Sequence, residues 1–317
     1  MRMPEPRGPV SEWVVARLAS YRPSALPRPP DTPSTLDDEA IALWTLHELS
    51  YQGFEDATEL AESDPDVSRT RFRLEATLES RLRERWVRVA PTPAEVPEAL
   101  EQLAAQDAGP SLADHVRRHA DADQVLEMLR QRSIYQLKEA DPTTWVVPRL
   151  PTRAKAALME LQFDEYGNGN PNRLHAHLFA RGLDAVGLCA DYGAYVDGAL
   201  PETLELNNAL SMFGLNRRLR GAAMGHLAAF EMSSSIPARK IAQGLDRLGL
   251  AGPMSAYYDE HVEADAVHEI TAAHAICGTL AEDEPDQAAE IMFGAFTCLD
   301  LEGRMAGALL DSWRSAA

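Results

Sequence analysis

The segment AYYDEHVEADAVHEITAAH sets His261, Asp265 and His268 at i, i+4 and i+7. On a helix turning about 100° per residue, the second and third lie within about 40° and about 20° of the first, so all three share one face. Two imidazoles and a carboxylate on one face can converge on a metal ion, and the same stripe on an acidic helix can equally be a solvated polar surface. Glu165 and His175 flank a second candidate, YGNGNPNRL, whose Gly167, Gly169 and Pro171 break or bulge the helix. Such a break can turn two distant side chains toward one point, or it is the capping turn of an ordinary helix-turn-helix. Glu231 stands among Leu227, Ala228, Phe230 and Met232, where a carboxylate is costly unless it is paired or bound to a cation. Glu139 lies near a helix end and fits either a site or a surface. Together these are four carboxylates and three imidazoles, which balance the four positive charges of two divalent irons, complete their coordination and leave positions open for dioxygen. The same oxygen and nitrogen donors suit manganese, and the absence of thiolates among them argues against a structural zinc site.

The elements that must position these groups read as helices. After a proline-rich start, with eight of the 21 prolines in the first 33 residues, TLDDEAIALWTLHELSYQGF opens with Thr35 three residues before Asp38 and continues at helical spacing. Residues 1–34 are expected to be a flexible arm. Helical patterns follow at about 69–88, 94–105, 111–118, 122–140, 152–166, 172–189, 203–233, 236–248, 254–277 and 284–313, with almost no strand-like alternation. The expected fold is all-α, with an N-terminal helical region over 35–118, packed on the core or on a dimer partner, and a bundle over 119–317. The apolar positions Trp44, Leu46, Leu49 and Tyr51 fit either partner equally.

The 317 residues carry a formal charge of -19, which disfavours nucleic acid and anionic membranes as partners. No stretch is apolar enough to span a membrane, and the charged, proline-bearing start does not read as a signal peptide, so the expected location is cytoplasmic. Cys189, Cys277 and Cys298 form neither a C-x-x-C motif nor an even set, and are expected to be buried small hydrophobes.

The strings RSIYQLKEADPTTWVVPRL, DEYGNGNPNRLHAHLF, HLAAFEMSSSIPARK and YYDEHVEADAVHE resemble those of the haem-oxygenase-like diiron oxidases and oxygenases, over roughly 119–270. ALWTLHELSYQGF is similar to the upstream helices of longer members. The resemblance implies a haem-oxygenase-like bundle with additional N-terminal helices, and Glu165, His175, Glu231, His261, Asp265 and His268 as metal ligands. Glu139 matches an additional carboxylate, metal-binding and catalytic, of the branch that oxygenates nitrogen in amino-acid-derived substrates. Pro171, within the loop before His175, departs from the family's pattern.

The implied cofactors are two iron ions with dioxygen as co-substrate, and an external electron donor where the reaction needs one. The implied partners are a small amino-acid-like substrate and a second copy of the chain in a homodimer. N-oxygenation in specialised metabolism is the leading reaction, followed by desaturation, C–C cleavage or cyclisation of an aliphatic amino acid. A metal-free scaffold, a thiaminase-type hydrolase or a binding module, is the reading from another class, and a hydrolase would need an activated cysteine. Tyr135, Tyr166, Tyr257, Tyr258 and Arg239 lie near the ligand positions in sequence, while His47, His115, His119, His177, His226 and His274 match none of them.

Overall fold

Thr35 caps its helix as the sequence suggests, its hydroxyl accepting from the Asp38 amide at 3.1 Å. The Asp38 carboxylate turns elsewhere: it accepts from the Ser11 amide at 2.8 Å, the Ser11 hydroxyl at 2.7 Å and the Val10 amide at 3.2 Å. Those contacts pin α1 (Pro9–Ala19) against α2 (Leu36–Glu48). The structure, a computed structural model, describes residues 1–19, 29, 30 and 32–316, with the backbone alone at 263–267 and 316.

The expectation of a flexible arm over 1–34 is corrected over its described first part. Val10, Trp13, Val14 and Leu18 recur at helical spacing and are buried in the core. Burying side chains of this size contributes about 1.5–3 kcal/mol each, enough to order a segment whose flanks are rich in proline. Ahead of α1, Arg7 bonds Asp37 at 2.6 Å and the Ala199 carbonyl at 2.8 Å, fastening the start of the chain to the bundle.

From there the chain forms α3 (Pro65–Arg85), α4 (Val96–Ala105), α5 (Leu112–Arg118), α6 (Ala122–Gln136), the short α7 (Asp141–Thr144), α8 (Thr152–Glu165) and α9 (His175–Ala185). It continues through α10 (Pro201–Leu215), α11 (Arg220–Arg247), α12 (Pro253–Ile270), a π-helical stretch (Thr271–Gly278), α13 (Thr279–Asp283) and α14 (Gln287–Ala316). No strand occurs among the described residues. α11 is the central rod, packed against α5, α12 and α14, while α2 lies on α10 and α9 on α12. Trp44 and Leu46 are buried within this same chain, and Leu49 and Tyr51 are half-buried.

Two boundaries differ from the sequence reading. The pattern over 203–233 divides at Asn216, where extended backbone separates α10 from α11. The expected break at 233–236 is instead the interior of α11, which runs through Pro237. The Ser233 hydroxyl donates to the Ala229 carbonyl at 2.7 Å and the Ser234 hydroxyl to the Glu231 carbonyl at 3.1 Å, so the residues before the proline keep helical partners. Pro237 removes one intrahelical bond and crowds the carbonyl four residues back, which bends a helix and opens space beside it.

α11 and α14 approach so closely that only glycine fits at two points. A Cβ at Gly225 would stand 1.8 Å from the Ile291 carbonyl oxygen, and one at Gly294 would stand 1.9 Å from that of Ala222. This contact fixes α11, which carries Glu231, in the middle of the bundle.

Candidate metal centre

Glu139, His175 and His261 form one buried trio, and Glu165, Glu231 and His268 form a second. Within each, one ligand atom per residue lies within 4.8 Å of the others, the spread that a shared cation requires. Six of the seven residues singled out in the sequence are therefore brought together. The seventh, Asp265, lies outside the residues whose side chains are described. His261 and His268 share a face of α12 but belong to different trios, which corrects the reading that they converge on one ion. Seven residues of helix advance about 10 Å along its axis, so each imidazole addresses its own cluster.

The turn between α8 and α9 joins the two clusters. Gly167, Asn168 and Gly169 all take positive φ, at 67°, 56° and 77°, and a Cβ on Gly167 would come within 2.5 Å of the Arg173 backbone. This left-handed run folds the chain back sharply, bringing the last residue of α8 against the first of α9. Glu165 Oε2 consequently lies 3.0 Å from His175 Nδ1, and its other oxygen lies 3.4 Å from His268 Nδ1. One carboxylate thus reaches into both trios. Pro171 is accommodated in the exposed part of the loop.

Each α12 imidazole is oriented from behind. His261 Nδ1 donates to the Tyr257 carbonyl at 2.8 Å, which leaves Nε2 facing Glu139 Oε1 at 3.5 Å. His268 Nε2 bonds Asp164 Oδ2 at 3.0 Å, which leaves Nδ1 facing Glu165 and, at 3.5 Å, Glu231. A partner on the far nitrogen fixes the tautomer and ring angle and raises ligand basicity. Asp164 itself accepts from Asn168 Nδ2 at 2.7 Å, tying the ring to the left-handed turn. Sequence reasoning missed Asp164. Its signal was an acid directly before a candidate ligand, with an asparagine four residues on.

The donor set fits a metal pair. His175 Nδ1, His261 Nε2 and His268 Nδ1 are buried and make no hydrogen bond among the described residues, although carboxylates stand within 3.0–3.5 Å of them. The oxygens are close but poorly directed for N–H donation, as expected where both kinds of atom address a third species. A cavity of about 20 Å³, lined by Glu139, Glu165, Glu231 and His261, lies among them. Burial pushes His261 and His268 down, but Glu139 lifts the first to about 10, and Glu231 with Glu165 lifts the second to about 9. Burial pushes Glu139 up, and His261 outweighs it, holding the carboxyl below its ordinary value. Such mutual stabilisation is what a cation replaces when it displaces the protons.

The remaining candidates divide. Tyr257 donates to Glu139 Oε2 at 3.0 Å, and Tyr135 lines the small cavity. Tyr166 bonds Asp141 at 2.8 Å, and Arg239 is exposed. His47 is buried against Glu75 and Asn208, His226 is buried, and His177 and His274 are exposed. Cys277 and Cys298 are buried as expected, but Cys189 is exposed, in a loop beyond α9. Burial pushes both buried thiols up, away from the thiolate a cysteine nucleophile needs.

Beyond His261 a larger cavity of about 360 Å³ opens between α6, α11, α12 and α14. Phe230, Tyr257 and Ala238 give it an apolar wall, and two ion pairs line it, Arg132 with Glu302 and Lys240 with Asp114. No helix among the described residues is long and apolar enough to cross a membrane.

The nitrosourea synthase of Streptomyces achromogenes subsp. streptozoticus is 30% identical over 150 residues, which are 47% of this chain and 32% of that protein. The match thus spans about a third of that relative. Two solved structures of a CADD-like protein of unknown function from Nostoc punctiforme superpose with TM-scores of 0.55 and 0.54 at 17% and 16% identity. They cover 69% and 70% of this chain and 96% of the other, and share the all-α, haem-oxygenase-like bundle. Residues 126–303 match the family described as iron-containing redox enzyme, and the chain belongs to that family.

Proposed function

We propose that the protein is a non-haem diiron enzyme that uses dioxygen to oxidise a small amino acid or amino-acid-derived amine, with N-oxygenation as the reaction. The observation that carries this reading is Glu165, whose two oxygens face histidines of different trios. Glu139, His175 and His261 would hold one ion, and Glu231 and His268 the other, with Glu165 between them and Asp265 completing the set. Such a pair, when bound, supplies the electrons and open coordination positions that dioxygen reduction needs. The chain's own part is to fix the ligands through Tyr257 and Asp164, to keep the centre among buried helices and to present the substrate from the cavity beyond His261. The 30% match to a nitrosourea synthase supports nitrogen as the oxidised atom. Desaturation, cleavage or cyclisation of an aliphatic amino acid would use the same centre.

Anaerobic titration with ferrous iron, followed by oxygen uptake with a panel of amino acids, tests the reading. Two irons per chain and substrate-accelerated oxygen consumption are expected. A single iron, or oxygen uptake unchanged by every compound, would overturn it. The homodimer belongs to the same proposal, and sedimentation as a monomer at micromolar concentration would reject it.

A further inference from the structure

The larger cavity carries a feature that the metal centre does not use. Gln136 lines it and is 6% exposed, yet its Oε1 makes no hydrogen bond among the described residues. The Tyr257 hydroxyl, which lines the same cavity, gives its proton to Glu139 and so is no donor to that oxygen. The carbonyl oxygen is a buried acceptor without a donor among the described residues, a state that a bound N–H would relieve. Four residues before Gln136, about 6 Å along the axis, Arg132 holds Glu302 through two bonds of 2.8 Å. Both residues of this ion pair line the same cavity. An arginine has five N–H donors, of which this pairing uses two.

We propose that the cavity binds a linear basic α-amino acid, its carboxylate and ammonium at Arg132 and Glu302 and its side-chain N–H donating to Gln136 Oε1. This inference rests on the diiron reading and deepens it, because Glu139, three residues beyond Gln136, then stands beside the substrate's terminal nitrogen. The joined plus and minus of Arg132 and Glu302 complement a zwitterionic head group better than a lone anion. An aliphatic chain of about three or four methylenes spans that axial distance of about 6 Å against the wall of Phe230 and Tyr258. Gln136 is the specificity residue: a site built to bond an N–H rejects an isostere that lacks it, because its own acceptor is then left buried and unpaired.

The test is calorimetric titration of the full-length, metal-free chain with L-lysine, L-ornithine and L-arginine. Norleucine and norvaline serve as the first two with the terminal nitrogen removed, and cadaverine as lysine without its carboxylate. At least one basic amino acid should bind, with norleucine or norvaline weaker by about ten- to a hundredfold and cadaverine weaker as well. Gln136→Leu should cut the preference for the nitrogen-bearing compound by about tenfold, Glu139 keeping the remainder, while norleucine or norvaline binds as before. Replacing both Arg132 and Glu302 with glutamine, which leaves neither charge unpaired, should abolish discrimination against cadaverine and spare discrimination against norleucine. Failure of all three amino acids to bind, or a Gln136→Leu variant that discriminates as well as wild type, would overturn the proposal. If that variant does not fold, the double glutamine variant decides alone. Two irons per chain without amino-acid binding would sink this inference only, and amino-acid binding without a second iron would sink the diiron reading only.

Discussion

His268 is held at its outer nitrogen by Asp164, Nε2 to Oδ2 at 3.0 Å, and this contact turns its inner nitrogen toward Glu165 and Glu231. Partners of this kind typically carry about ten- to a hundredfold in metal affinity. Asp164→Ala should therefore weaken iron binding at one of the two positions by that factor and leave the other unchanged. Anaerobic iron titration would show one tight and one weakened equivalent. Equal loss at both positions would mean that the two trios are not separately supported.

Metal loading should release protons and tighten as pH rises. In the metal-free protein, Glu139 lifts His261 to about 10 and Glu231 lifts His268 to about 9, so at neutral pH both rings carry protons that a metal must displace. Raising the pH from 6 toward 8 lowers that competition, and the apparent affinity for ferrous iron should climb across the window. Titration in buffers of different ionisation enthalpy would report the protons released.

Asp38 ties α1 to α2. Burial pushes its carboxyl up, but hydrogen bonds from Ser11, Ser34 and Val10 outweigh that and hold it below the usual carboxylate range. A depressed folded value stabilises the protein above the unfolded pKa of about 3.9, and the contribution is lost as pH falls through the folded value. Asp38→Ala should cost about 2–3 kcal/mol at neutral pH, and the difference from wild type should shrink below about pH 4. Chemical denaturation at the two pH values measures both effects.

Gly225→Ala should separate α11 from α14, since the added methyl has the Ile291 carbonyl 1.8 Å away. The expected loss is about 1–3 kcal/mol in denaturant stability, with weaker iron binding because Glu231 rides on α11. An alanine variant as stable as wild type would contradict the close approach.

Much of this arrangement was legible in the residues. The Thr35 cap, the helical spacing of the bundle and the glycine-bearing turn between Glu165 and His175 all carry short-range signals. Those signals act within a few residues, which is why they survive in a single sequence. α1 was hidden because its flanking prolines outweighed the pattern of Val10, Trp13, Val14 and Leu18, whose burial depends on distant partners. The separation of His261 and His268 into two trios depends on what faces each turn of α12, and helix periodicity is silent about neighbours. Arg239 was singled out for its place in the sequence, whereas the arginine lining the cavity is Arg132, seven residues before Glu139. Distance along the chain does not report proximity through space. The continuity of α11 through Pro237 was likewise set by packing rather than by local preference.

The most direct measurement of the central claim is a Mössbauer spectrum of protein loaded anaerobically with two equivalents of enriched ferrous iron and then exposed to oxygen. A carboxylate shared between neighbouring ions predicts a single population of antiferromagnetically coupled ferric pairs with a diamagnetic ground state, lost in Glu165→Ala. Two uncoupled high-spin ferric sites, or one iron per chain, would contradict it.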